Sequence, residues 1–199
     1  MFAFDTERPA RPRGRGDQPE PTVESVRIGS LRLRHVRYQA NQRIGFSAGE
    51  MSLLGRGPAA SESDLAVVIA PGRPLAINID DMRHFCPANC LVIRQATAIE
   101  LASTSDDGCF WLMIVAEPVL RSLLPTLPAF YDQPFGFERG AGAMLVDMLA
   151  VILRHADSVS AASRQVVVDQ LCSLLVSIVS DGRRQTRALS SFVRESHIG

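Results

Sequence analysis

The chain has 199 residues, 46% of them hydrophobic, with 21 basic and 21 acidic side chains and a formal net charge of zero. That length holds one large or two small domains with a real core, and the balance supplies no overall charge for gathering nucleic acid or an anionic membrane surface. Every basic residue is arginine, which excludes lysine Schiff-base chemistry and lysine-dependent phosphate loops.

Residues 1–22 read as a disordered tail, because the stretch from Arg8 to Gly16 is rich in Arg, Pro and Gly and has nothing apolar to bury. Neither a signal-peptide core nor a long uncharged apolar run is read in the chain, which points to the cytoplasm and away from a membrane. Cys86, Cys90, Cys109 and Cys172 are then expected as reduced thiols.

Residues 23–116 carry short, turn-bounded apolar runs. Leu31, Leu33 and His35 alternate with Arg32 and Arg34, as on a strand. The stretch from Gly45 to Pro58 predicts strands with loose connections. Leu65 to Ile69 is a buried strand run, Pro71-Gly72 a turn, and Leu75, Ile77 and Ile79 alternate with polar or small residues. Asp80-Asp81 opens a loop, Cys90 to Arg94 is the next strand, and Cys109 to Val115 is a long strand apolar on both faces. Strands at this spacing with no helices between them imply an antiparallel sandwich or barrel.

At Glu117-Pro118 the period becomes helical. Pro118 suits a first helical position, and Val119, Leu120, Leu123 and Leu124 share a face before Pro125. Thr126 to Gly140 reads as a loop. Helices are predicted over about 141–156 and 161–180, with a break at Asp181-Gly182. Leu145, Leu149 and Ile152 stripe the first, and Leu171, Leu175 and Ile178 the second. Further apolar residues lie off these stripes (Met144, Val151, Val168, Val176, Val179), so each helix should bury two faces. One face meets the barrel. The other predicts a homodimer, with those six residues as its interface.

The run from Leu65 to Gly72, the strand from Cys90 to Arg94 and the stretch from Phe110 to Leu120 resemble the sensor half of the AraC-type transcription regulators. The closest branch has a degenerate cupin-like barrel. Arg184 to Arg194 resembles the linker and first helix of that family's DNA-binding half. The resemblance implies an α+β domain: a cupin-like antiparallel barrel or jelly roll over 23–116, a helical dimerisation segment over 117–182, and a linker leading to an absent DNA-binding domain over 183–199. It implies a small effector in the barrel, a dimer through the helices, and no specific DNA binding by this chain alone.

A metal-binding cupin needs a close His pair, a Glu and a distant His. His35, His84, His155 and His197 contain no H-x-H, so no metal, cofactor or catalytic set is assigned and an enzyme is not expected. His35, Asn78, Arg94, Trp111 and Met113 are the candidate effector-binding residues: an aromatic and a thioether on one strand face, with the nearest polar groups on neighbouring strands. Two other readings stay open. One is a metal-free cupin-like enzyme acting on a small molecule. The other is a metal or redox sensor built on Cys86 and Cys90, beside His84.

Overall fold

The computed structural model describes residues 20–51, 53, 64–79, 82–103 and 107–195. Residues 1–19 of the expected tail lie outside that set. Nine strands precede the helices: β1 Thr22–Ile28, β2 Leu31–Tyr38, β3 Arg43–Phe46, β4 Asp64–Ala70, β5 Leu75–Ile79, β6 Met82–Cys86, β7 Cys90–Gln95, β8 Ile99–Ser103 and β9 Gly108–Ala116. After them come α1 Glu117–Leu123, a 3-10 turn at Leu127–Phe130, the short strand β10 Pro134–Gly136, α2 Ala141–His155, a second 3-10 turn at Ala156–Ser158 and α3 Ala161–Glu195.

The strands form two antiparallel sheets. The larger runs β1-β2-β9-β4-β7-β10 and the smaller β3-β8-β5-β6. Chain neighbours repeatedly fall in different sheets, and apart from the β1–β2 and β5–β6 hairpins the strands that pair are distant in sequence. This double-sheet order is a jelly roll, the architecture of the cupins. The expected α+β class with a cupin-like barrel is the observed one.

The core has two compartments because the large sheet is apolar on both faces. Its inner face (Val36, Ala66, Val68, Val92, Phe110, Leu112, Ile114) packs on Ile44, Phe46, Leu75, Ile77, Ile99 and Leu101 of the small sheet. Its outer face (Leu31, Leu33, Leu65, Val67, Ile69, Leu91, Ile93, Trp111, Met113, Val115) packs under the helices. All seven residues of β4 are buried. Strand alternation makes this division automatic: odd and even positions of β9 face opposite compartments.

β9 runs directly into α1. Pro118 opens the helix, with Glu117 in its first turn. Leu120 and Leu124 turn inward, while Leu123, expected beside them, stays 48% exposed. The Tyr131 hydroxyl donates to Glu117 Oε1 at 3.1 Å, and an Arg121 nitrogen lies 3.4 Å from the same oxygen.

Three expectations are corrected. Leu145, Leu149, Ile152, Leu171, Leu175 and Ile178 are buried within the chain, against the outer face of the large sheet. They are intramolecular core and not a dimer interface. Val168 and Val179 are buried in the same layer. Second, Asp181-Gly182 does not end the last helix, which continues to Glu195. A Cβ at Gly182 would come 2.8 Å from the Phe135 ring, so this glycine makes room for a β10 side chain. Third, β6 and β10 fall where loops were expected. The Ala161–Gly182 part of α3 is also long and apolar enough to cross a membrane by length and composition, contrary to the sequence reading. In the fold its Val168, Leu171, Leu175, Ile178 and Val179 pack in the outer compartment.

Two substitutions test this packing. Leu149→Ala empties a fully buried site and is expected to lower unfolding stability by roughly 2–5 kcal/mol. Gly142→Ala places a methyl on the backbone and Cβ of Phe137 at the start of α2, with an expected loss of about 1–3 kcal/mol. Urea unfolding followed by circular dichroism measures both, and wild-type midpoints would contradict the helix-on-sheet layer.

Candidate functional site

The interior between the sheets is the first place to seek a ligand site. Apolar residues fill it, and the segment after β3 closes one end. Met51 is fully buried there and Leu53 nearly so. Two contacts latch the segment: a guanidinium nitrogen of Arg32 donates to the Glu50 carbonyl at 3.2 Å, and Leu53 N donates to Asp64 Oδ2 at 2.9 Å. Ser47 Oγ in turn donates to Glu50 Oε2 at 2.7 Å, tightening the turn. Arg32 and Arg34 alternate with Leu31 and Leu33, so they face inward on β2 and are buried. The Arg34 guanidinium sits 5.1 Å from the Phe46 ring centroid, a cation–π contact inside the sandwich.

The five candidate effector residues do not line one interior pocket. Trp111 and Met113 lie on the outer face of the large sheet, in the compartment under the helices. His35 is on that face too, opposite Trp111 in register and stacked on it at 4.2 Å between centroids. Arg94, opposite Ala66, is on the inner face at the sheet's far side, with a nitrogen 3.3 Å from Asp132 Oδ1. Asn78 is on the outer face of the small sheet, its amide donating to Glu100 Oε1 at 3.2 Å. The cause is the parity of β9. Both its faces are apolar, so sequence alone cannot say which one the second sheet covers.

Cys86 is buried on β6, and His84 lies two residues before it on the same strand face. The Cys86 thiol donates to the Cys90 carbonyl at 3.3 Å, and burial pushes its pKa up to about 12. Burial also raises Cys90, Cys109 and Cys172, the last to about 11. Protonated thiols are poor nucleophiles and poor ligands. Among the described residues no three His, Cys, Asp or Glu side chains gather as a metal set would require. Nothing in this geometry favours the sensor built on Cys86 and Cys90.

What the fold does build is a groove on the outer face of the small sheet. It holds about 380 Å³ and is lined by Asn41, Arg43, Ala76, Asn78, Arg83 and Ala102. Leu75 and Ile77 of β5 point inward, so Ala76 and Asn78 point out. Register places Arg43, Ala102, Ala76 and Phe85 in one row across four strands. Gly45, Glu100, Asn78 and Arg83 form the next row. Asn78 is the one sequence candidate that lies in it. The strand β6, which supplies Arg83 and Phe85, was hidden by its mixture of polar and apolar residues.

No family model matches the chain, and no curated protein matches it. Solved structures do. The crystal structure of the AraC-like transcriptional activator CuxR matches 79% of this chain with a TM-score of 0.57 and 9% sequence identity. This chain spans 55% of that protein's length. The cupin domain of an XRE family transcriptional regulator from Enterobacter cloacae matches 48% of this chain and 95% of its own, with a TM-score of 0.37 and 10% identity. An RmlC-like cupin protein from Desulfovibrio desulfuricans matches 58% of this chain and 96% of its own, with a TM-score of 0.37 and 15% identity. At these identities the likeness is one of fold: a cupin-like sandwich followed by helices.

The His35–Trp111 stack has a pH signature. Burial lowers the His35 pKa below its ordinary 6.5, the Glu24 carboxylate 3.6 Å away opposes that shift, and the Arg37 charge adds to it. The folded chain therefore binds this proton at lower pH than the unfolded chain does. Stability is intact above about pH 6.5 and falls as the pH drops through that value, because the unfolded state then binds more protons. The melting temperature is expected to fall between about pH 7.5 and pH 5.5, and His35→Gln should flatten part of that fall. Identical pH profiles for wild type and variant would show that His35 titrates freely.

Proposed function

We propose that this chain is the ligand-responsive, self-associating domain of a cytoplasmic transcription regulator and that it carries no catalytic activity of its own. The observation that carries this reading is the extent of the match to the AraC-like activator. Strands β1–β9 occupy only residues 22–116, so a match over 79% of the chain extends beyond the barrel into the helical part. Regulation comes to this chain from that likeness, and effector binding and assembly from the sequence resemblance to the AraC-type sensor half. The four free cysteines accord with a reducing compartment.

Self-association needs a surface other than the six buried residues. The outward face of α2 supplies one. Met144 is 62% exposed and Val151 52%, with the half-buried Met148 between them. These positions follow i, i+4, i+7 spacing and form one stripe. Asp147 and Arg154 are exposed, seven residues apart and so on one face. An antiparallel pair of α2 helices about a twofold axis, centred between Ala150 and Val151, sets each Asp147 opposite the other copy's Arg154. The apolar stripe then lies within a self-complementary charge frame.

Charge exchange tests this surface. Wild type is expected to sediment as a dimer at roughly 10 µM, a concentration ordinary for such interfaces. Val151→Glu and Arg154→Asp should each shift it to monomer without changing its circular dichroism. Combining Asp147→Arg with Arg154→Asp should restore the dimer. A monomeric wild type, or a dimer indifferent to all three changes, overturns the surface.

The same reading predicts no operator specificity. Among the described residues the two long helices form one hairpin, with its inner side against the large sheet. Any duplex DNA binding by the 199-residue chain should be weak, should vanish as salt rises and should ignore sequence. A salt-resistant, sequence-specific gel shift contradicts it.

A further inference from the structure

The outer groove of the small sheet has the composition of a site for one class of molecule. Its floor is small: Ala76 and Ala102 stand in mid-row, and Gly45 ends the neighbouring row with open space beside it. Ala76 is 1% exposed although it faces away from the barrel. The rims are large and of two kinds. Arg43 and Arg83 bring guanidinium groups from opposite edges of the sheet, and just beyond the lining residues, opposite Ala76 in register, stands Phe85 with a ring that is 56% exposed.

The charges are unevenly matched. Glu100 Oε1 lies 3.6 Å from an Arg43 nitrogen and also accepts the Asn78 amide hydrogen bond, so Arg43 already has a carboxylate beside it. Arg83, two residues from Phe85 on the same face of β6, has no hydrogen bond or ion pair among the described residues. No described residue competes for its planar fork, which has the geometry to take both oxygens of an oxyanion. The volume is in the range of small-molecule sites and too small for a folded partner.

We propose that this groove binds a small organic anion with a flat apolar body. Its carboxylate or phosphate pairs with Arg83, its body lies over Ala76 against the Phe85 ring, and the Asn41 and Asn78 amides orient its polar edge. The groove names the ligand class of the sensing function, and only that regulatory consequence rests on the function proposed above. Binding itself does not.

The test titrates benzoate, phenyl phosphate and the neutral benzyl alcohol into the full chain, read by calorimetry and by chemical shifts. At least one of the two anions is expected to saturate, and to bind about tenfold or more tightly than the alcohol. Which anion wins tells carboxylate from phosphate chemistry. Arg83→Gln and Phe85→Ser should each weaken it by about tenfold or more. Val166→Ser, on the exposed side of α3, should leave it unchanged. Unaltered melting of these surface variants excludes misfolding as the cause. The inference is overturned if neither anion saturates, if the alcohol binds as well, or if Arg83→Gln binds like wild type. Sedimentation with and without the bound anion separates the two readings. Binding that leaves self-association untouched supports the groove and counts against the regulatory role, while a dimer that binds none of the anions overturns the groove and leaves the self-associating surface standing.

Discussion

The large sheet is apolar on both faces, and the rest of the structure depends on that constraint. A sheet of this kind cannot leave either side in water. β4, buried along its whole length, and β9, with Phe110, Leu112 and Ile114 on one side and Trp111, Met113 and Val115 on the other, each need two covers. The small sheet supplies one and the helices the second. Burying a Leu, Ile, Val or Phe side chain is worth about 1.5–3 kcal/mol, so neither cover is optional. The helices thus belong to the core of this domain, and they reach any second copy only with the surface that remains.

That division separates stability from recognition. The interior is given over to packing, with Met51 and Leu53 closing an end. The outer face of the helices keeps one stripe of exposed apolar residues on α2, and the outer face of the small sheet keeps a charged groove. These two surfaces lie on opposite sides of the sandwich, with both core compartments between them. Any influence of one on the other must pass through the large sheet, whose rows of paired residues connect the two.

Much of the fold was legible in the sequence, because period-2 and period-3.6 patterns are direct consequences of backbone geometry. The strands around Val67, Ile77, Val92 and Leu112 and the turn to helix at Pro118 are of this kind. Two elements escaped. β6 mixes Arg83, His84 and Phe85, so its alternation is not one of apolar against polar, and β10 is only three residues long. α3 runs past Gly182, where the Phe135 ring occupies the space a Cβ would need, so this glycine answers a packing demand and does not mark a helix end. The site was far less legible. Parity groups Trp111 with Met113 correctly, but when both parities are apolar it does not say which one faces the barrel. Likewise the stripe of Leu145, Leu149 and Ile152 says that a helix is covered without saying by what. The groove was invisible for another reason: it joins Arg43, Ala76, Arg83 and Ala102 through strand register across four strands, and no local spacing encodes that.

The strand order has a consequence for how this chain comes to be folded. β2 pairs with β1 on one edge, but its other partner is β9, with Leu31 opposite Val115 and Tyr38 opposite Gly108. β4 likewise waits for β7 and for β9. During synthesis the first half of the barrel must stay without its central strand until residue 116 has left the ribosome, and the outer compartment stays uncovered until α2 and α3 emerge. Pairings this distant in sequence close slowly, because the loop entropy is lost before the contacts are gained. Bare strand edges and apolar faces in the meantime are what aggregation and chaperone capture act upon. The arrival of β9, the strand on which both compartments converge, completes the large sheet, and the docking of α2 and α3 ends the exposure.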